Sequence, residues 1–156
     1  MSATQRLNEL GITLPPVATP AGSYVPAIRV GDLIFTSGQL PMVDGQLPAT
    51  GIVGRDGLTT ATAAECARTC AINALAAAAQ TAGGVDNIKQ VVKLTVFVAS
   101  SCDPEYTEQA AVANGASDLL IEIFGDAGRH ARSAVGMAAL PLRTPVEVEM
   151  IVQVAS

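Results

Sequence analysis

The sequence predicts an α+β fold: a mixed sheet with two helices packed on one face. Three observations predict it. The segment Val146–Val154 alternates almost perfectly between apolar and polar residues, as a half-buried strand does. The stretch from Thr59 to Ala82 is alanine-rich, opens on hydroxyl residues and stops at Gly83-Gly84, as a helix lying close to a sheet does. The remaining periodic segments fall in the order β-β-α-β-α-β-β, which two helices on one face of a mixed sheet accommodate.

Along the chain, Met1 to Leu10 reads as a short helix ended by Gly11. Residues 11–22 are proline-rich and are expected to form an extended surface arm. Tyr24–Val30 and Leu33–Ser37 read as strands joined by the two-residue turn Gly31-Asp32. Residues 40–58, with four glycines, read as loop. In the long helix Thr59, Thr60 and Thr62 are candidate caps, and Thr62 with Glu65 has capping-box spacing. Val91–Ser100 reads as a strand with Val92, Leu94, Val96 and Val98 on one face and Lys93, Thr95 and Phe97 on the other. Asp103-Pro104 is expected to cap a second helix, Pro104–Phe124, with Ala113, Ala116, Leu120 and Ile123 along its apolar stripe. Gly125–Ala131 reads as a polar loop, Ser133–Leu140 as a strand, Pro141–Pro145 as a turn and Val146–Val154 as the last strand. No internal repeat or linker divides the chain, so a single domain over 1–156 is expected, with 1–22 as its helix and arm.

Composition narrows the function classes. The charged fraction is 15% against an apolar fraction of 49%, so part of the apolar surface is expected to lie between subunits. The net charge is −5 and the only lysines are Lys89 and Lys93, a poor basis for the clustered cations that nucleic acid requires. The apolar runs are broken well short of the about 18 residues of a membrane span, and the N-terminus lacks a signal-peptide pattern. A cytoplasmic location is the resulting expectation, with neither membrane nor nucleic acid as partner. Cys66 and Cys70 share a helical face, as a metal pair or as small core residues, the latter favoured by how often free cysteine is buried. With Cys102 they make an odd set in a chain whose single histidine is His130, so neither a disulfide framework nor a zinc centre is expected.

The densest polar segment is Gly128–Ser133, GRHARS. Arg132, at the mouth of a strand, can grip a carboxylate through two parallel hydrogen bonds or pair with an acidic neighbour of its own chain. Glu147 and Glu149 share one face of the last strand, either as a solvated surface or beside a ligand whose water one of them deprotonates. His130 has the titration range of a base, although a loop histidine also serves as a surface or structural residue. Tyr24 and Ser37 could line a site or serve packing and turns.

Four separated segments, in order, then resemble one family. Gly22-Ser23-Tyr24-Val25 is similar to its G-P-Y segment. Phe35-Thr36-Ser37-Gly38-Gln39-Leu40-Pro41 resembles its T-S-G-Q-I-P strand end. Val91–Val98, VVKLTVFV, resembles its V-V-K-T-T-V-F-V strand. Ala131-Arg132-Ser133, Leu140-Pro141 and Val146-Glu147-Val148-Glu149 resemble its A-R-S, L-P and I-E-I-E signature. On these residues the chain resembles the RidA family over about Ser23 to Val154. The resemblance implies a chorismate-mutase-like fold, a homotrimer with a central barrel, and inter-subunit sites that use no cofactor or metal. It implies hydrolysis of small 2-imino acids to 2-oxo acids and ammonia. Arg132 would clamp the substrate carboxylate and Glu147 would orient water. Tyr24, Ser37 and Asn114 would line the pocket, with Ser133 and His130 counted among the ligand-contacting residues. An iminium carbon is already electrophilic, so positioning and electrostatics can supply much of the acceleration.

The chain departs from the family archetype where Ala134 follows Ser133 in place of a cysteine. Its greater length and its His130 resemble a longer branch of the family, whose substrate can differ. A non-enzymatic carboxylate binder or sensor, and a hydrolase of another amine or amide in a degradation pathway, are therefore carried as alternatives. A ribonuclease, a label some relatives bear, fits the acidic composition poorly.

Overall fold

The computed structural model describes residues 1–20 and 22–155; Ala21 and Ser156 fall outside it. The elements in chain order are α1 (Ala3–Glu9), β1 (Ala27–Val30), β2 (Leu33–Thr36), α2 (Thr60–Ala82), β3 (Ile88–Ala99), α3 (Gln109–Phe124), β4 (Ala131–Met137) and β5 (Val146–Val154). The strands form one mixed sheet in the order β1-β2-β5-β3-β4. The β1–β2 hairpin turns on Gly31-Asp32, with Val30 opposite Leu33. β5 inserts between β2 and β3, antiparallel to both, and β4 runs parallel to β3 after the crossover through α3. The α+β architecture expected from the sequence is the one observed.

The side-chain period of two divides β5 cleanly. Val146, Val148, Met150, Val152 and Val154 are buried, while Glu147, Glu149 and Gln153 face the other way. Helix α2 lies on the buried side. Its Ala63, Ala67, Ala71 and Ala74 are fully buried, so small side chains bring its backbone near the strands. Helix α3 approaches α2 closely enough that a Cβ at Gly115 would run into the backbone carbonyl of Ala64. Helix α1 joins the same layer as a third helix. Its Leu7 is buried, the Thr4 amide donates to Asp86 Oδ1 (2.9 Å), and Arg6 Nε donates to the Glu122 carbonyl (2.7 Å). The opposite face carries no helix, and Ile28, Phe35, Val135 and Met137 stand on it exposed. Among the described residues no helix is long and apolar enough to cross a membrane.

Several boundaries differ from expectation for identifiable reasons. Residues 104–108 are not helical. A Cys102–Glu105 bridge closes a turn there, and Tyr106 N donates to the Ser101 carbonyl, so α3 begins only at Gln109 and without a side-chain cap. Thr59 caps α2 by accepting from the Thr62 amide, so Thr62 opens no capping box. A register shift between Val91 and Lys93 makes Val91, not Val92, the buried residue of that pair, and β3 starts three residues earlier than expected. Residues 24–26 precede the first paired strand. Ala131 and Arg132 belong to β4, which ends at Met137 rather than Leu140.

Candidate functional site

Arg132 pairs with Leu94 in the β3–β4 register, so its side chain leaves the sheet on the helical side. There it meets one stripe of α3, formed by Ala110, Asn114 and Ser117. Nη1 donates to Asn114 Oδ1 (2.8 Å) and Ser117 Oγ (3.1 Å), and Nη2 donates to the Ala110 carbonyl (3.3 Å). All three acceptors are neutral. None of the ion pairs among the described residues includes Arg132. The acidic neighbour weighed from the sequence is replaced by uncharged oxygens, which fix the guanidinium and leave its charge for something else.

His130 stands behind this cluster. Its Nδ1 lies 2.7 Å from the Gly128 carbonyl, which can only accept, so Nδ1 carries the proton. In the neutral imidazole Nε2 is then the acceptor for Ser117 Oγ–H at 3.0 Å. One hydroxyl thus accepts from Arg132 and donates to His130. Ser133 turns to the other face, where its hydroxyl accepts from Lys93 Nζ (3.0 Å).

Glu147 pairs with Phe97 and projects from the helix-free face, opposite to Arg132. It is half-buried and makes no hydrogen bond or ion pair within the described residues. Burial, and secondarily the nearby Glu149 charge, hold its carboxyl above the usual glutamate range. It packs against Gly38, where any Cβ would strike the carboxylate. Ser37, just before, donates its hydroxyl to the Val25 carbonyl (2.6 Å) and so ties the 22–26 segment to the end of β2. Tyr24 is exposed. Tyr24 and Gly38 both line a cavity of about 530 Å³ beneath the proline-rich arm.

The candidate residues thus form two groups. Arg132, Asn114 and His130 cluster with Ser117 on the helical side. Glu147, Ser37 and Tyr24 gather with Gly38 around the end of β2, and Ser133 stands apart with Lys93. Sequence reasoning did not single out Ser117 or Gly38 individually. The i, i+4, i+7 spacing of Ala110, Asn114 and Ser117 was the signal for the first, and the second reads only as part of a motif. Cys66 and Cys70 are buried in the core, where burial raises both thiols, and Cys102 is exposed. Among the described residues no three His, Cys, Asp or Glu side chains gather as metal ligands would.

An α+β chain with this sheet order, an arginine held ready on one face and an unpaired glutamate on the other, matches a known class. Residues 4–154 fit the family model described as "YjgF/chorismate_mutase-like, putative endoribonuclease". The chain belongs to this family, the one named RidA above. It is 46% identical to protein TCP17 of Trypanosoma cruzi over 148 residues, which is 94% of this chain and 91% of the relative. Among solved structures it is similar to a protein of unknown function from Agrobacterium tumefaciens, at 47% identity and TM-score 0.88 over 98% of this chain and 92% of that one. It is also similar to E. coli TdcF with bound serine, at 28% identity and TM-score 0.62 over 92% and 94% of the two chains.

Proposed function

We propose that this chain hydrolyses small 2-imino acids to 2-oxo acids and ammonia in a cleft completed by two copies of itself. The observation that carries the reading is the Arg132 guanidinium, held by Asn114, Ser117 and Ala110 without a counter-ion. Such a group is built for a carboxylate arriving from outside. The serine bound by TdcF is one small molecule that bears a carboxylate.

Arg132 and Glu147 leave opposite faces of one sheet, so Arg132 of one copy serves Glu147, Tyr24 and Ser37 of the next. The exposed apolar residues on the helix-free face supply the contact, in a homotrimer whose sheets surround a central barrel. Water held by the ionised Glu147 attacks the iminium carbon. Its proton passes to the carboxylate as the carbon–oxygen bond forms. That proton then moves to nitrogen, and the remaining hydroxyl proton returns to the Glu147 carboxylate as the carbon–oxygen double bond forms and the carbon–nitrogen bond breaks, releasing ammonia and the 2-oxo acid. A carboxyl held above its usual range is a stronger base than an exposed one, which suits this role. The chemistry asks for no cofactor from the protein, and an enzyme of the cytoplasm would meet the imines that amino-acid metabolism generates. The family description mentions endoribonuclease activity, but two lysines and a net charge of −5 give little purchase on phosphates.

The test is turnover of 2-iminopropanoate and 2-iminobutanoate, generated in place by an amino acid oxidase, with semicarbazide trapping what survives. Wild type accelerates imine loss, and Arg132→Ala lowers kcat/KM by about 100-fold or more, as loss of charged hydrogen bonds implies. Carboxylate binding without turnover would instead indicate a sensor.

A further inference from the structure

The cavity of about 530 Å³ beneath the arm is much larger than a methyl or ethyl group requires. It lies within the size range of small-molecule sites, about 300–1,000 Å³. We propose that it is the side-chain compartment of the site described above, so that the preferred ligand is a carboxylate bearing a bulky apolar substituent, such as a branched or aromatic side chain. The inference rests on the carboxylate-site reading and specifies its substrate class.

Continuity comes first. Gly38 lines the cavity and is itself packed against the Glu147 carboxylate, and Tyr24 lines the cavity from the arm side. Chemical character comes second. Pro15, Pro16, Val17 and Pro20 form one wall, and Leu40 and Met42 form the other. The second wall is fixed, because Asn73 spends both side-chain N–H groups on the carbonyls of Leu40 (2.8 Å) and Met42 (3.1 Å). The rim is third. Leu142 lines the cavity yet is 67% exposed, and it is held at φ 55°, followed by Arg143 at φ 58°. Left-handed backbone is unfavourable for a leucine. The Gly51 amide nevertheless fixes this turn by donating to the Arg143 carbonyl (2.8 Å). The fold thus holds an apolar side chain in water at the cavity mouth, where a hydrocarbon group on the ligand would cover it.

Calorimetric titration of the assembled protein with stable 2-oxo acids tests this without turnover. The probes are 2-oxopropanoate, 4-methyl-2-oxopentanoate and 3-phenyl-2-oxopropanoate. Burial of each added methylene tightens binding about fourfold, so the larger acids are expected to bind at least about tenfold more tightly than 2-oxopropanoate. Leu142→Gly, which relaxes the backbone, and Val17→Trp, which fills the space, both reduce that ratio, and Arg132→Ala removes binding of all three. Equal, Arg132-dependent affinities overturn the compartment and leave the carboxylate site standing. Tight binding of the large acids that ignores Arg132 shows a separate cavity and also overturns it. Binding of none of the three removes the carboxylate-site reading and this inference together.

Discussion

His130 and Arg132 act on one another through a single atom, Ser117 Oγ, which accepts from the guanidinium and donates to the imidazole. The proton on His130 Nδ1 is held by the Gly128 carbonyl, which in the neutral imidazole leaves Nε2 to accept from Ser117. The histidine counted among the ligand-contacting residues stands one residue removed from the arginine, directly against the arginine's own partner.

Ser117→Ala should therefore loosen Arg132 without unfolding α3. Loss of one hydrogen bond to a charged group costs about 1.5–3 kcal/mol at most. The outcome expected is a rise of roughly tenfold in the Kd for 2-oxobutanoate, with kcat for the imine changed less than KM. A uniform loss of both would indicate a packing defect instead.

Arg132→Lys should not restore function. A lysine ammonium cannot span Asn114, Ser117 and the Ala110 carbonyl while presenting a planar fork to a carboxylate. Its kcat/KM is expected to stay within about tenfold of Arg132→Ala, a gap of no more than about 1.4 kcal/mol.

Glu147 makes a pH-dependent contribution of definite sign. Its folded carboxyl titrates above the ordinary value of 4.5, so over the interval above 4.5 the native state binds more protons than the unfolded one. Stability then falls as pH rises through that interval. Glu147→Gln should raise the melting temperature at pH 7–8, and the gain should vanish below about pH 4.5. Water still reaches half of this group, so the gain is below about 1 kcal/mol. The same variant should abolish imine turnover, and the wild-type rate should fall as acid protonates the base.

Gly115→Ala tests the α2–α3 contact. Helix propensity favours alanine by about 1 kcal/mol, but the new Cβ would meet the Ala64 carbonyl, a backbone atom that cannot swing aside. Overpacking should win, with a net loss of about 1–3 kcal/mol in urea unfolding.

Much of this was legible in the sequence where one rule acted alone. β5 alternates, and every buried position in it follows from that. The end of α2 is written in Gly83, which takes the left-handed backbone at the cap. Legibility failed where a local irregularity competed with the pattern. The shift between Val91 and Lys93 exchanges the two faces of β3, and no residue type there announces it. Asp103-Pro104 looks like a helix start and instead sits in a turn. At the site, Arg132 and Glu147 were readable as residue types, whereas their opposite directions depend on the pairing of β4 with β3, which no spacing along the chain encodes. Ser117 looks like any hydroxyl on a helix until Arg132 is brought to it.

The opposite directions of Arg132 and Glu147 also bear on how the protein's output scales with its abundance. If each site is assembled from halves that two folded chains supply, competence follows mass action. On dilution, rate per chain should drop as soon as assembly does, with no chain unfolding. Mixing Arg132→Ala chains with Glu147→Gln chains should recover part of the rate, because some neighbouring pairs would then join an intact arginine to an intact glutamate. Heredity of the defect would be softened in the same way, two silent alleles together making some working sites.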